Sequence, residues 1–248
     1  MTRPTILSLL LATLTLAGCS LAPHEPAAPA TAVAISPPAP APWYEPEIAA
    51  FEAADAASPP APGQVLFIGS SSIRMWKTLA DDMAPAAVLN RGFGGSKTPE
   101  VLAVMDRIVY PYDPSAIVYY CGDNDLGETN TDSEAAADGF IEFAERVHGR
   151  WPTVPILYMS IKPSLARWSN WAAMERANAL VADYADETPG VEYMDLATCL
   201  LGPSGAPQPT LYLDDGLHLS AEGYARWTKI VRARLEAAVP EAFERAKP

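Results

Sequence analysis

Five short apolar runs, at residues 65–68, 87–90, 116–120, 154–160 and 191–196, each close into a polar or glycine-rich cluster before helical periodicity resumes. Strand-length runs alternating with helix-length segments leave few folds open. They predict an α/β chain with three layers, α/β/α, around a mostly parallel five-stranded sheet wound right-handedly. On sheets of this kind ligands sit at the carboxyl ends of the strands, near a switch in strand order. The polar clusters of this chain all fall at those ends, so they should converge on one edge of the sheet.

The first run, Val65-Leu66-Phe67-Ile68, enters Gly69-Ser70-Ser71-Ser72 and then an amphipathic pattern, Ile73-Arg74-Met75-Trp76, which reads as strand, tight turn and helix. A serine in such a turn has an exposed oxygen, and the helix behind it offers unpaired N–H groups and a positive dipole end to a developing oxyanion. The plainer reading is that serine simply caps the helix. Partners elsewhere in the chain must decide.

The second run ends in Asn90-Arg91-Gly92-Phe93-Gly94-Gly95-Ser96, where three glycines in four positions imply positive φ or a close backbone approach. A helix is expected over 98–109 with Pro99 in its first turn. The third run ends in Cys121-Gly122-Asp123-Asn124-Asp125, and a helix is expected over 133–150. The fourth passes into Ile161-Lys162-Pro163-Ser164-Leu165-Ala166-Arg167-Trp168 and a helix over 170–186. After the fifth, Asp214-Asp215-Gly216-Leu217-His218 introduces a last helix over 221–238.

Asp215 and His218, three apart in a turn before a helix, can place the carboxylate on one imidazole nitrogen and leave the other free as a base. With Ser71 as nucleophile this completes a triad, and the Ser71 N–H, the Gly95 N–H and the Asn124 amide supply candidate donors to an oxyanion. Each residue alone has an ordinary structural reading. Their order, each directly after a predicted strand or before the last helix, is what points to chemistry. His24 falls in an Ala/Pro-rich stretch and His148 near a helix end, which leaves His218 as the base.

These segments resemble the sequence blocks of the SGNH (GDSL-type) hydrolases. Gly69-Ser70-Ser71 resembles the first block, the stretch ending in Gly95 the second, Gly122-Asp123-Asn124-Asp125 the third, and Asp215-Gly216-Leu217-His218 the last; the likeness runs over about 65–239. The resemblance implies a flavodoxin-like sheet and a serine esterase or lipase without cofactor or metal. In the family's first block an Asp usually precedes the serine, and here Ser70 stands in its place. That Asp is not a triad member, so the departure bears on local hydrogen bonding, and Ser71 remains the nucleophile. Ser72 is expected to point away and cap the helix.

Arg3 followed by an apolar run over 6–16 and Leu16-Ala17-Gly18-Cys19 reads as an export signal over 1–18. Its ending resembles the lipobox of bacterial lipoproteins, which implies acylation of Cys19, a membrane anchor that does not span the bilayer, and a place in the cell envelope; Ser20 after the Cys implies the outer membrane, facing the periplasm. Residues 19–62, dominated by Ala and Pro, read as a tether. Trp43, Tyr44, Ile48 and Phe51 interrupt it, so a short helix docked on the domain is expected near 43–57. The hydrolase domain is expected over 63–240 and a tail over 241–248.

A net charge of −13 with no Lys/Arg cluster excludes nucleic acid as a partner. Apart from Cys19 the chain holds Cys121 and Cys199, whose separation the sequence does not fix, and no His pair near them to make a zinc site. Lys162, Ser164, Arg167 and Trp168 offer charge, hydroxyl and a stacking face as substrate contacts. Two functions from different classes remain: an esterase acting on an acyl-ester small molecule, glycan or lipid, and a non-catalytic lipoprotein binding glycan or lipid in the same cleft. Among esterase substrates, short acyl groups on carbohydrate compete with those of a lysophospholipase or lipase.

Overall fold

The computed structural model describes residues 41–127 and 131–244. Strands β1 (Val65–Gly69), β2 (Val88–Gly92), β3 (Ala116–Tyr120), β4 (Ile156–Met159) and β5 (Val191–Met194) form one sheet in the order β2-β1-β3-β4-β5. Every neighbouring pair is parallel, so the predicted α/β class holds and the sheet is parallel throughout. In register, Gly69 lies between Gly92 and Tyr120, which puts the ends of β2, β1 and β3 side by side. The order reverses between β1 and β3, the switch point at which sheets of this kind hold their ligands.

Successive strand residues face opposite sides, and both sides are covered, which is why the strands are apolar without alternation. Leu66, Ile68, Ile117 and Tyr119 meet α1 (Glu45–Ala57), α4 (Thr98–Ala103), α5 (Met105–Ile108), α6 (Ser133–Arg150) and α7 (Trp171–Glu187) through Ile48, Val101, Ile108, Phe140 and Val181. Val65, Phe67, Val118 and Tyr120 meet α2 (Ser71–Arg74), α3 (Leu79–Met83), α8 (Ala221–Ala238) and α9 (Pro240–Phe243) through Ile73, Met83, Trp227, Leu235 and the partly buried Phe243.

Two helices depart from expectation. The helix after β1 is a single turn, because Trp76 is drawn into the core and its indole N–H donates to Asp82 at 2.6 Å, which redirects the chain into α3. The helix expected over 98–109 breaks at Val104, where the backbone leaves helical values (φ −119°, ψ 13°) and divides it into α4 and α5.

The helix α1 is tied down by charge as well as by the buried Ile48. Arg107 bonds Glu45 and Glu52 at 2.7 Å each, and Arg91 pairs with Asp55. The hydrogen bonds from Arg107 hold both glutamates below the usual carboxylate range. No described helix is long and apolar enough to cross a membrane.

Candidate active site

The chain turns sharply at Gly69. Its φ of +151° and its close approach to β3 are open only to glycine: a Cβ there would lie 1.9 Å from the Tyr120 carbonyl oxygen on the neighbouring strand. Ser70 donates its N–H to that carbonyl at 3.1 Å, and Ser71 opens α2. Ser70 is the N-cap but makes no side-chain cap bond, and its buried Oγ has no partner among the described residues. Ser72 does not cap the helix as expected. It lies inside α2, 1% exposed, and its buried Oγ has no hydrogen-bond partner among the described residues.

The turn before α8 is closed by Leu213 N–H to the His218 carbonyl at 2.8 Å and Gly216 N–H to the Leu213 carbonyl at 2.9 Å. Asp215 Oδ1 accepts the N–H groups of Leu217 and His218, both at 2.9 Å, while Oδ2 lies 2.6 Å from His218 Nδ1. His218 Nε2 lies 3.0 Å from Ser71 Oγ. Burial would raise the Asp215 carboxyl, but the bonds from His218 and from the two N–H groups outweigh it and hold it at about 2. A carboxylate on Nδ1–H leaves Nε2 as the acceptor facing the serine hydroxyl.

Gly95, with φ +73°, takes the left-handed conformation that glycine tolerates best. The loop around it is held from α1: Glu47 accepts the Gly94 N–H with both oxygens at 3.2 Å, and Arg74 faces Glu47 at 3.7 Å. Asn124 is joined to the same loop through Nδ2, which donates to the Ser96 carbonyl at 2.9 Å. Neither the Ser71 N–H nor the Gly95 N–H donates to a described residue, and one hydrogen of the Asn124 amide is also uncommitted. The ends of β1, β2 and β3 thus bring Ser71, Gly95 and Asn124 together, with the turn before α8 adding Asp215 and His218. Cys121 and Cys199 are free; their thiols donate to the Ser96 and Leu196 carbonyls, each at 3.3 Å.

Residues 68–226 match the model of the GDSL-like lipase/acylhydrolase family. The chain belongs to that family. It is an ester hydrolase. The acylhydrolase is similar in fold to a protein described as a putative platelet activating factor from Streptococcus pneumonia (22% identity, 77% of this chain and 92% of that one, TM-score 0.70). It is likewise similar to a GDSL-like lipase from Bacteroides thetaiotaomicron (20%, 77% and 98%, 0.65) and to an acetylxylan esterase from Geobacillus stearothermophilus (16%, 75% and 99%, 0.54). No curated protein sequence matches it.

The loop after β4 corrects the sequence reading of this acylhydrolase. Lys162 and Ser164 are each 1% exposed, buried rather than presented to a substrate. The sequence offers Lys162 as a substrate contact, but its Nζ lies 2.8 Å from Asp123 Oδ2 and 3.2 Å from Tyr120 Oη, and a buried carboxylate needs such a partner. Burial would raise the Asp123 carboxyl; Lys162 and Arg167 outweigh it and keep it low. Arg167 turns inward, its Nη1 on the Asp123 carbonyl at 2.6 Å and its Nη2 on Asn124 Oδ1 at 2.9 Å. Trp168 alone of the four presents a large apolar surface, 38% exposed and stacked on Trp171.

Three residues near the site have no role assigned by the sequence reading: Asp123, Glu47 and Trp43. The Trp43 indole is 56% exposed, donates to Glu100 Oε1 at 3.1 Å, and sits so close to Gly95 that a Cβ there would meet the ring at 3.4 Å. The aromatic cluster in an otherwise Ala/Pro-rich stretch is the one signal that could have found it. On the side of the His218 turn, Met75, Leu213, Leu219 and Tyr224 line an open groove of about 430 Å³.

Proposed function

We propose that this ester hydrolase cleaves short acyl groups from carbohydrate, with Ser71 as nucleophile, His218 as general base and acid, and Asp215 as the residue that orients His218. The observation that carries the reading is the continuous relay from Ser71 Oγ to His218 Nε2 at 3.0 Å and from Nδ1 to Asp215 at 2.6 Å, beside three uncommitted N–H donors. Ser71 Oγ attacks the acyl carbon as its proton passes to Nε2. The oxyanion is received by the Ser71 and Gly95 N–H groups and the Asn124 amide, and the imidazolium returns the proton to the departing alkoxide. Water then repeats the sequence on the acyl-serine. Membership of an ester-hydrolase family sets aside a purely binding role.

The carbohydrate preference is supported by Trp43, a fixed and exposed indole face beside Gly95, of the kind on which a sugar ring packs its C–H surface. The apolar groove near His218 favours a second reading, a lysophospholipase that lays its acyl chain there. A series of p-nitrophenyl esters from acetate to long chains decides between them. Each buried methylene would contribute up to about 0.8 kcal/mol, roughly fourfold in kcat/KM. We expect kcat/KM to be highest at acetate or propionate and then level or fall; a steady climb with length overturns the short-acyl reading.

The export signal over 1–18, Cys19 and most of the tether lie outside the described residues. As part of the same proposal Cys19 carries a lipid anchor that holds the protein at the outer membrane, facing the periplasm. Cys19→Ala is expected to move the protein from the membrane to the soluble fraction of fractionated cells with unchanged specific activity. Retention on the membrane would overturn the anchor.

A further inference from the structure

We propose that Arg167 is a positioning residue: it fixes and polarises the Asn124 amide. The inference rests on the reading of Asn124 as an oxyanion donor and goes beyond it.

A carboxamide can be turned over by 180°, and its partners decide which way it faces. Here both are unambiguous. The guanidinium only donates, so Oδ1 must face Arg167, at 2.9 Å; the Ser96 carbonyl only accepts, so Nδ2 must face Ser96, also at 2.9 Å. The amide is thereby locked with one N–H uncommitted. A charged donor on Oδ1 draws electron density from the amide nitrogen and makes that remaining N–H a stronger donor.

The surroundings of Arg167 point the same way. Lys162 and Asp123 form a buried pair whose side chains are 0% and 4% exposed. Arg167, 17% exposed, lies 3.6 Å from the same Asp123 oxygen and joins that pair to Asn124. The guanidinium thus sits in a poorly solvated region directly behind the donor that would meet a developing negative charge, where electrostatic effects are far stronger than in water. The site is shaped for the guanidinium, since a Cβ on Gly127 would lie 2.7 Å from Arg167 Cζ.

A double-mutant cycle tests this with p-nitrophenyl acetate. Removing one oxyanion donor by Asn124→Ala is expected to lower kcat by about 10²–10³-fold. Arg167→Gln is expected to lower kcat by roughly tenfold or more with KM within about twofold, and to cost less than about threefold once Asn124 is already Ala. Arg167→Lys, which keeps the charge but not the planar fork, should fall between wild type and Gln. If Arg167→Gln fails to fold, the cycle is run with Arg167→Lys. Losses that multiply independently would overturn the proposal while leaving the oxyanion reading intact, as would a change confined to KM, which makes Arg167 a substrate contact. An unchanged kcat in Asn124→Ala would bring down the oxyanion reading itself, and Arg167's role with it.

Discussion

Ser71→Ala is expected to lower kcat for p-nitrophenyl acetate by about 10⁴-fold or more, the scale on which a triad nucleophile acts, whereas Ser72→Ala should stay within about threefold. Neighbouring hydroxyls make the contrast informative. Both lie on one short helix, but consecutive residues are turned about 100° apart, so they cannot serve the same partner. Ser71 Oγ reaches His218 Nε2, while Ser72 Oγ is buried with no partner among the described residues. The comparison is made by steady-state kinetics on both variants, with circular dichroism to verify the fold. Equal losses, or a Ser71→Ala enzyme near wild type, would remove Ser71 from its assigned role.

Asp215→Asn should cost about 10⁴-fold in kcat, because an amide of the same shape inverts the hydrogen-bond polarity. The Asn oxygen can still accept the Leu217 and His218 N–H groups, so the turn should survive. Its NH2 would then point at Nδ1, the tautomer with the proton on Nε2 would be favoured, and His218 could no longer accept from Ser71. The wild-type carboxyl titrates at about 2, a depressed value. Its charge is therefore complete throughout the near-neutral range and lost only in strong acid, so any fall in kcat/KM between about pH 8 and 5 does not come from Asp215. A loss below about tenfold in Asp215→Asn would show that tautomer control by Asp215 is dispensable.

The order of strands and helices was legible because buried parallel strands leave an unmistakable trace, runs such as Ala116-Ile117-Val118-Tyr119-Tyr120 with no polar alternation. The polar clusters at their ends follow from the same reading. What sequence could not supply was direction. Lys162 and Arg167 read as substrate contacts because the acid that draws them inward, Asp123, is 39 and 44 positions away. Trp43 reads only as packing, since nothing along the chain says that residue 43 returns to the end of β2. The break at Val104 is invisible because 101, 104, 105 and 108 also satisfy a continuous helix.

The acidic stitching of α1 has a practical consequence for anyone who trims this protein. The sequence suggests that a working domain can begin near residue 63, once the Ala/Pro-rich stretch is discarded. Such a cut would strip Arg91 and Arg107 of their carboxylates, expose the apolar seat of Ile48, and take away the Glu47 side chain that grips the Gly94 N–H. The shortest version worth purifying or grafting onto another scaffold therefore starts upstream of Trp43. What reads as the end of a leash is part of the lock.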